Sequence, residues 1–191
     1  MMDDAKEQGP PEPSVWVKRF VGGVKAGGHI LDVACGSGRH LKLALSRGYR
    51  ATGIDRDISR AAELGEHGGL TLVGTDLERG QPFPYEGRTF DGVIVVNYLW
   101  RPILPAIVKC VARDGLLIYE TFAQGQERRG RPENPDFLLA PNELIEAVSS
   151  HLVVICYETG VAAGSKPRVV QRIAACGRGH PWAECAPVLA G

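Results

Sequence analysis

Asp32, Gly36, Gly38 and Asp55 are the residues with which this chain could hold a nucleotide-type ligand. Three of them lie in Ile30-Leu31-Asp32-Val33-Ala34-Cys35-Gly36-Ser37-Gly38-Arg39-His40, and the fourth ends Ala51-Thr52-Gly53-Ile54-Asp55. Glycine tolerates positive φ, and with no Cβ it lets a ligand lie against the backbone. The free N–H groups that open the next helix then face that ligand. Asp55 follows Asp32 at close to the ~20-residue offset expected of an acid that accepts hydrogen bonds from ribose hydroxyls. The other reading of Asp55 is a helix cap, because a helical stretch runs from Ser59 to Leu64.

A second set of residues suits an acceptor. Asn97-Tyr98-Leu99-Trp100-Arg101-Pro102 closes one apolar run, and Glu120-Thr121-Phe122 closes another. Tyr98 and Trp100 offer aromatic faces to a substrate or a cation, worth about 0.5–2 kcal/mol for a cation; either could instead pack a helix onto a sheet. Arg101 stands at a helix start, where a cation opposes the helix dipole, so it is assigned to an anionic substrate group. Glu120 is the general-base candidate, since a carboxylate near a cleft mouth can be tuned for proton transfer; otherwise it pairs with an arginine of Arg128-Arg129-Gly130-Arg131. From that cluster Arg131 is assigned to substrate, as a clamp on a carboxylate or phosphate. His40, just past the glycine turn, is read as a helix-surface residue.

These residues need a scaffold, and the apolar pattern supplies one. Ser14 can cap a helix, with Val17, Phe20, Val21 and Val24 as its stripe and Gly27-Gly28 as its end. That helix lies either over the ligand opening or on the sheet. Residues 29–34 read as a strand, 38–47 as a helix, 51–55 as a strand and 70–74 as a third strand, followed by Thr75-Asp76-Leu77. Residues 78–89 are Gly-, Pro- and charge-rich loop. Residues 90–96 form a strand apolar on both faces, and Leu104, Ile107, Val108 and Val111 mark the next helix. Asp114-Gly115 reads as a turn before a strand over 116–122. Residues 123–140 are too long and polar for a plain connector, so they are expected to fold over the crevice as a lid. A helix from Pro141 to about Ser150 follows. Strands over 151–158 and 168–175, with no helix between them, must form an antiparallel hairpin.

Composition narrows the class. At 191 residues, 44% hydrophobic and 23% charged, the chain reads as one globular domain, 14–176. A disordered tail, 1–13, precedes it and a C-terminal tail, 177–191, follows. Lys+Arg and Asp+Glu both number 22, which argues against a general nucleic-acid grip. No apolar run approaches the ~20 residues of a membrane span, and no signal-peptide core opens the chain; a cytoplasmic protein, with no membrane partner, is expected. Five cysteines, three of them in apparent core elements, suit reduced thiols. Cys176, His180 and Cys185 offer three ligands where structural zinc usually has four, so no metal is assigned.

Asp32-x-Ala34-x-Gly36-x-Gly38 resembles motif I of class I S-adenosylmethionine (SAM) methyltransferases, acidic-x-Gly-x-Gly-x-Gly, with Ala34 at the first glycine position. The resemblance covers roughly residues 14–175. It implies a Rossmann-like α/β fold: a three-layer αβα sandwich around a seven-stranded, mostly parallel sheet of order 3-2-1-4-5-7-6, strand 7 antiparallel. It implies SAM as cofactor, S-adenosyl-L-homocysteine (SAH) as product, and methyl transfer by in-line displacement to a small-molecule acceptor. Asp32, Ala34, Gly36, Gly38, Asp55, Arg56, Asp76, Leu77 and Asn97 then bind cofactor, with Asp76 at the adenine amino group and the Leu77 N–H at the ring. Trp100, Arg101 and Arg131 bind substrate; Glu120 and Tyr98 are the catalytic candidates. Cys35-Gly36-Ser37-Gly38-Arg39 and Gly48-Tyr49…Gly53-Ile54-Asp55 look like the small tellurite-resistance and thiopurine-type methyltransferases. A monomer or homodimer is expected. Two other functions fit less of the pattern. An NAD(P)-linked oxidoreductase would want a third glycine where Leu41 stands. A non-catalytic SAM-binding partner subunit would keep the same cofactor residues.

Overall fold

A computed structural model describes residues 12–163 and 167–188. Most of the N-terminal tail and part of the last turn, 159–167, lie outside that range. Seven strands form one sheet: β1 (His29–Val33), β2 (Arg50–Asp55), β3 (Leu70–Gly74), β4 (Phe90–Val96), β5 (Val111–Phe122), β6 (Val153–Ala162) and β7 (Arg168–Cys176). Their order is β3-β2-β1-β4-β5-β7-β6. β1 to β5 are parallel, and β7 runs antiparallel to both neighbours. This is the order and polarity expected from the sequence. It brings the carboxyl ends of β1, β2, β3, β4 and β5 to one edge.

The two sheet faces are covered separately, as strict alternation requires. Leu31, Val33, Val93, Val95, Leu117 and Tyr119 face a core closed by α4 (Leu104–Lys109) and α5 (Glu143–Ser149). Ile30, Ile94, Val96, Leu116 and Ile118 face a core closed by α1 (Val15–Phe20), α2 (Arg39–Ser46) and α3 (Ser59–Ala62). The result is an αβα sandwich. Trp16 anchors α1 on the sheet by donating from Nε1 to Ile173 O at 3.2 Å. No helix among the described residues is long and apolar enough to cross a membrane.

Three segments differ from the sequence reading. β5 begins at Val111 and not after the Asp114-Gly115 turn, because a register shift opposite Phe90 and Gly92 absorbs the irregularity. Gly115 is what the shift needs: a Cβ there would lie 2.8 Å from Phe90 O. β6 continues past Glu158 to Ala162 and stays paired with β7 to Arg168. In the segment read as a C-terminal tail, His180 and Trp182 pack back against Gly23, while Glu184, Cys185 and Val188 are exposed. His180 Nε2 lies 2.9 Å from Gly23 O, and the Trp182 ring fills the space a side chain at Gly23 would need.

Close approach of α2 to β2 depends on Gly53. A Cβ there would stand 2.6 Å from Leu41 Cδ1 and 2.9 Å from Cys35 Sγ, both in the core. Gly53→Ala should therefore destabilise the fold by about 1–3 kcal/mol, the usual penalty of overpacking. A lower urea midpoint at unchanged slope would show it; an unchanged midpoint would mean that α2 moves aside at no cost.

Candidate active site

The β1–α2 turn alternates left-handed residues: Ala34 (φ 55°), Gly36 (φ 55°) and Gly38 (φ 75°). Cys35 N–H donates to Ile54 O at 2.9 Å, and Gly36 N–H donates to Asp55 Oδ2 at 2.8 Å. The turn is thus tied to the end of β2. The two glycines serve different needs. A Cβ on Gly36 would meet nothing within 4 Å, whereas one on Gly38 would stand 2.9 Å from Leu64 Cδ1. Gly36 keeps space open beside the backbone; Gly38 lets the residues after α3 close on the turn. Ala34 holds its left-handed conformation at a cost of about 1–2 kcal/mol.

Two adjoining cavities open at the carboxyl ends of the strands. One, of about 500 Å³, is lined by Ala34, Asp55, Arg56, Thr75, Asp76 and Leu77. The other, of about 640 Å³, is lined by Leu99, Thr121, Phe122 and the lid residues Arg131 to Asn134. Glu78, Asn97, Tyr98 and Phe137 line both. The carboxylates of the first cavity are oriented by backbone. Asp55 Oδ1 accepts from Asp57 N–H at 3.1 Å, and Asp76 Oδ1 from Glu78 N–H at 3.0 Å. Arg79 Nε, 3.1 Å from Asp76 Oδ2, completes the arrangement.

At the junction Asn97 is left-handed, φ 58°, and its N–H donates to Glu120 O at 2.9 Å. Tyr98 Oη is buried with no hydrogen-bond partner among the described residues. Burial, then the charges of Glu78, Asp76 and Asp55, push its ionisation well above the ordinary tyrosine range. Tyr98 is therefore a neutral donor and not a base. Cys35 is equally inert: burial, with Asp32 and Asp55 nearby, pushes its thiol up to about 12.

Several sequence assignments fail on geometry. Glu120 lines neither cavity. It is 1% exposed, its Oε2 is 2.6 Å from Arg172 Nε, and Ser14 Oγ donates to its Oε1 at 3.3 Å. A carboxylate so paired has no free face to offer a substrate proton. Arg101 is committed to the lid: it donates to both Glu143 oxygens at 2.7 and 2.9 Å, and to Asp136 O and Leu138 O at 2.7 and 2.9 Å. Trp100 packs against the α4/α5 core, the alternative already open for it. Asp32 is buried behind the turn and not on the cavity wall; its Oδ2, 3.7 Å from His40 Nδ1, has no hydrogen-bond partner among the described residues. His40 is not on the helix surface but 3% exposed, its Nε2 accepting from Ser14 N–H at 3.2 Å. Gly38 borders a different hollow, between α2 and α3.

The lid does cross the larger cavity. It starts at the Ala123–Leu139 bridge, and Phe137 reaches both cavities. Phe137, Glu78 and Thr75 were not assigned from sequence. The signal for Phe137 was present, since it is the one aromatic residue of an otherwise polar loop. Glu78 and Thr75 simply flank Asp76-Leu77.

Residues 30–114 match a family model described as a methyltransferase domain. The chain is also similar in fold to solved structures. Against TehB from Haemophilus influenzae the TM-score is 0.63 at 18% identity, covering 85% of this chain and 61% of that one; this chain thus spans about three fifths of the TehB length. A TehB-like SAM-dependent methyltransferase from Corynebacterium glutamicum ATCC 13032 Kitasato gives 0.61 at 17%, covering 85% and 86%. The [4+2]-cyclase SpnF gives 0.62 at 14%, covering 85% and 78%. No curated protein matches the chain.

The Arg101–Glu143 pair makes lid order depend on pH. Burial opposes ionisation of Glu143, but hydrogen bonds from Arg101 and the Ala140 N–H outweigh it and hold the carboxyl below its usual range. A depressed carboxylate contributes stability above its unfolded value, about 4.3, and loses it as pH falls through the lower folded value. Amide exchange over 123–140 should be constant from neutral pH to about pH 5 and accelerate below about pH 4, after correction for the intrinsic rate. Arg101→Gln should exchange about fivefold faster already at pH 7, the effect expected of a partly exposed pair worth ~1 kcal/mol. Equal rates in the two proteins would show that the pair does not hold the lid.

Proposed function

We propose that this chain, whose residues 30–114 match a methyltransferase-domain model and whose fold is similar to a SAM-dependent methyltransferase, transfers a methyl group from SAM to a small-molecule acceptor by in-line displacement. The observation that carries this reading is the junction of the two cavities at Asn97, Tyr98, Glu78 and Phe137. A donor held in the smaller and an acceptor held in the larger would meet there.

The residues present fit the cofactor. Gly36 leaves a cradle that a Cβ would fill. Asp55 retains acceptor capacity for ribose hydroxyls beyond its bonds to Gly36 and Asp57, since a carboxylate has about four lone-pair sites. Asp76 and the Leu77 N–H are the adenine contacts, and Arg56 borders the same cavity. Asp32 Oδ2, buried and unpartnered, supplies negative charge behind the turn. When bound, the cofactor supplies an activated methyl group on a sulfonium. The chain's own contribution is to hold donor and acceptor in line, which can provide about 7–11 kcal/mol of the barrier. Asn97 and Tyr98 orient the junction, Tyr98 as a donor. The lid excludes water from it. Glu78, the carboxylate that both cavities share, takes the place first given to Glu120 if an acceptor needs deprotonation. We place this activity in the cytoplasm, in a monomer or homodimer without a nucleic-acid partner.

Calorimetric titration with SAM, SAH and NAD tests the reading. SAH is expected to bind at micromolar concentration, about −8 kcal/mol, and NAD not to bind. Asp55→Ala should weaken SAH by roughly 10- to 150-fold, the range for hydrogen bonds to a charged group at about 1.5–3 kcal/mol. NAD binding without SAH binding would overturn the proposal in favour of an oxidoreductase.

A further inference from the structure

Four arginines are partly buried among the described residues: Arg19, Arg39, Arg168 and Arg172. Arg19 and Arg172 hold carboxylates, Arg19 at Glu158 and Arg172 at Glu120 and Glu158. Among the described residues Arg39 and Arg168 form no ion pair. Arg39 donates only to His40 Nε2, at 3.3 Å, and Arg168 only to Asn97 Oδ1, at 3.4 Å. A partly buried guanidinium outside an ion pair is unfavourable to the extent that its desolvation is not offset; at Arg39 the charges of Asp32 and Glu120 offset it only in part. Burial depresses the ionisation of Arg39, Asp32 opposes this, and the charge of Arg168 adds to the depression.

Their position says what they await. Arg168 is the first residue of β7, reaching Asn97 at the junction and lying 6.0 Å over the Phe122 ring. Phe122 lines the larger cavity and not the smaller. Arg131 of the lid lines that same larger cavity.

We infer that Arg168, held beside Asn97 and Phe122 of the larger cavity's wall, is an anion anchor at the edge of the acceptor cavity, and that the methyl acceptor carries a carboxylate or similar oxyanion next to an apolar body. The inference rests on the reading that donor and acceptor share this crevice. Guanidinium suits it, since its planar fork matches a carboxylate. Phe122, Phe137 and Leu99 provide the apolar wall. Arg168 is thus a specificity residue: it selects the acceptor by charge and takes no part in bond making.

Benzoate and benzamide are matched probes, alike in shape and different in charge. With SAH-saturated protein, benzoate should bind at least tenfold more tightly than benzamide. Arg168→Gln should erase that preference, Arg168→Lys should keep part of it, and both variants should hold SAH within threefold of the wild type and keep its melting temperature. Equal affinity for the two probes, or no benzoate binding at millimolar concentration, would overturn the inference. So would Arg168→Gln losing SAH tenfold while benzoate binding persists, which would assign the pair to the cofactor's own carboxylate. Repeating the titration without SAH separates the two proposals. A wild-type protein that prefers benzoate but never binds SAH would keep the anion anchor and sink the methyl-donor reading.

Discussion

The hydrogen bond from Gly36 N–H to Asp55 Oδ2, 2.8 Å long, joins the ends of β1 and β2, and the crevice takes its shape from it. It can form only because the chain leaves β1 through left-handed residues at 34, 36 and 38, which turn the intervening N–H groups toward β2. Two of the three are glycine, where that conformation has little cost. The third, Ala34, must be held there by its surroundings, and Cys35 N–H on Ile54 O does so from the adjacent residue. α2 then starts where the turn ends, and Gly53 lets it lie close on β2. Displacing α2 would break the same contacts that orient Asp55, so cradle and carboxylate form one rigid unit.

On the other side of the turn, the wall is polar and buried. Ser14 caps α1 by accepting from Trp16 N–H at 3.1 Å, and the same hydroxyl donates to Glu120. Glu120 meets Arg172, Arg172 meets Glu158, and Glu158 meets Arg19 of α1. The chain of charges closes on α1 at both ends. Because the His40 Nε2 accepts from Ser14 and from Arg39, its ring proton sits on Nδ1, facing Asp32. Buried ion pairs contribute little net stability, since desolvation offsets most of the attraction. Their effect here is geometric. Removing one member would strand the others, so α1 has one seating on the sheet, with its N-terminus at the crevice.

Strand order, the glycine turn and the acid at the end of β2 were legible in the sequence because each is a local pattern: apolar runs, left-handed glycines, a fixed offset. What was not legible is which way a side chain of a doubly buried strand points. Glu120 and Thr121 are neighbours at the end of β5, and apolar residues flank both faces, so nothing local says which of them lines the cavity. The register settles it. Glu120 shares a face with Ile118 and looks toward α1; Thr121 looks into the cavity. The same limit explains Arg101, whose carboxylate partner is at Glu143, in another helix. It also explains Arg168, which only the antiparallel return of β7 brings to Asn97. Asx-type contacts two residues apart, as at Asp55 and Asp76, could have been anticipated.

A fold shared with a cyclase as well as with methyltransferases leaves chemistry to the site, and the site has a polarity that the zero net charge of the chain conceals. On the β2–β3 side the crevice presents Asp55, Asp76 and Glu78 against one cation among the described residues, Arg56. On the β5–β7 side stand Arg168 and the lid's Arg131, with Glu133 beside the latter. Field lines in a low-dielectric cleft run between such walls. A cationic ligand is drawn to the first side and an anionic one to the second, and the boundary falls at Asn97 and Tyr98. Tyr98 is suited to that boundary, because burial, reinforced by the acidic wall, keeps it protonated. A cationic methyl donor and an anionic acceptor would thus be sorted to opposite sides of one crevice before any contact specific to either is made.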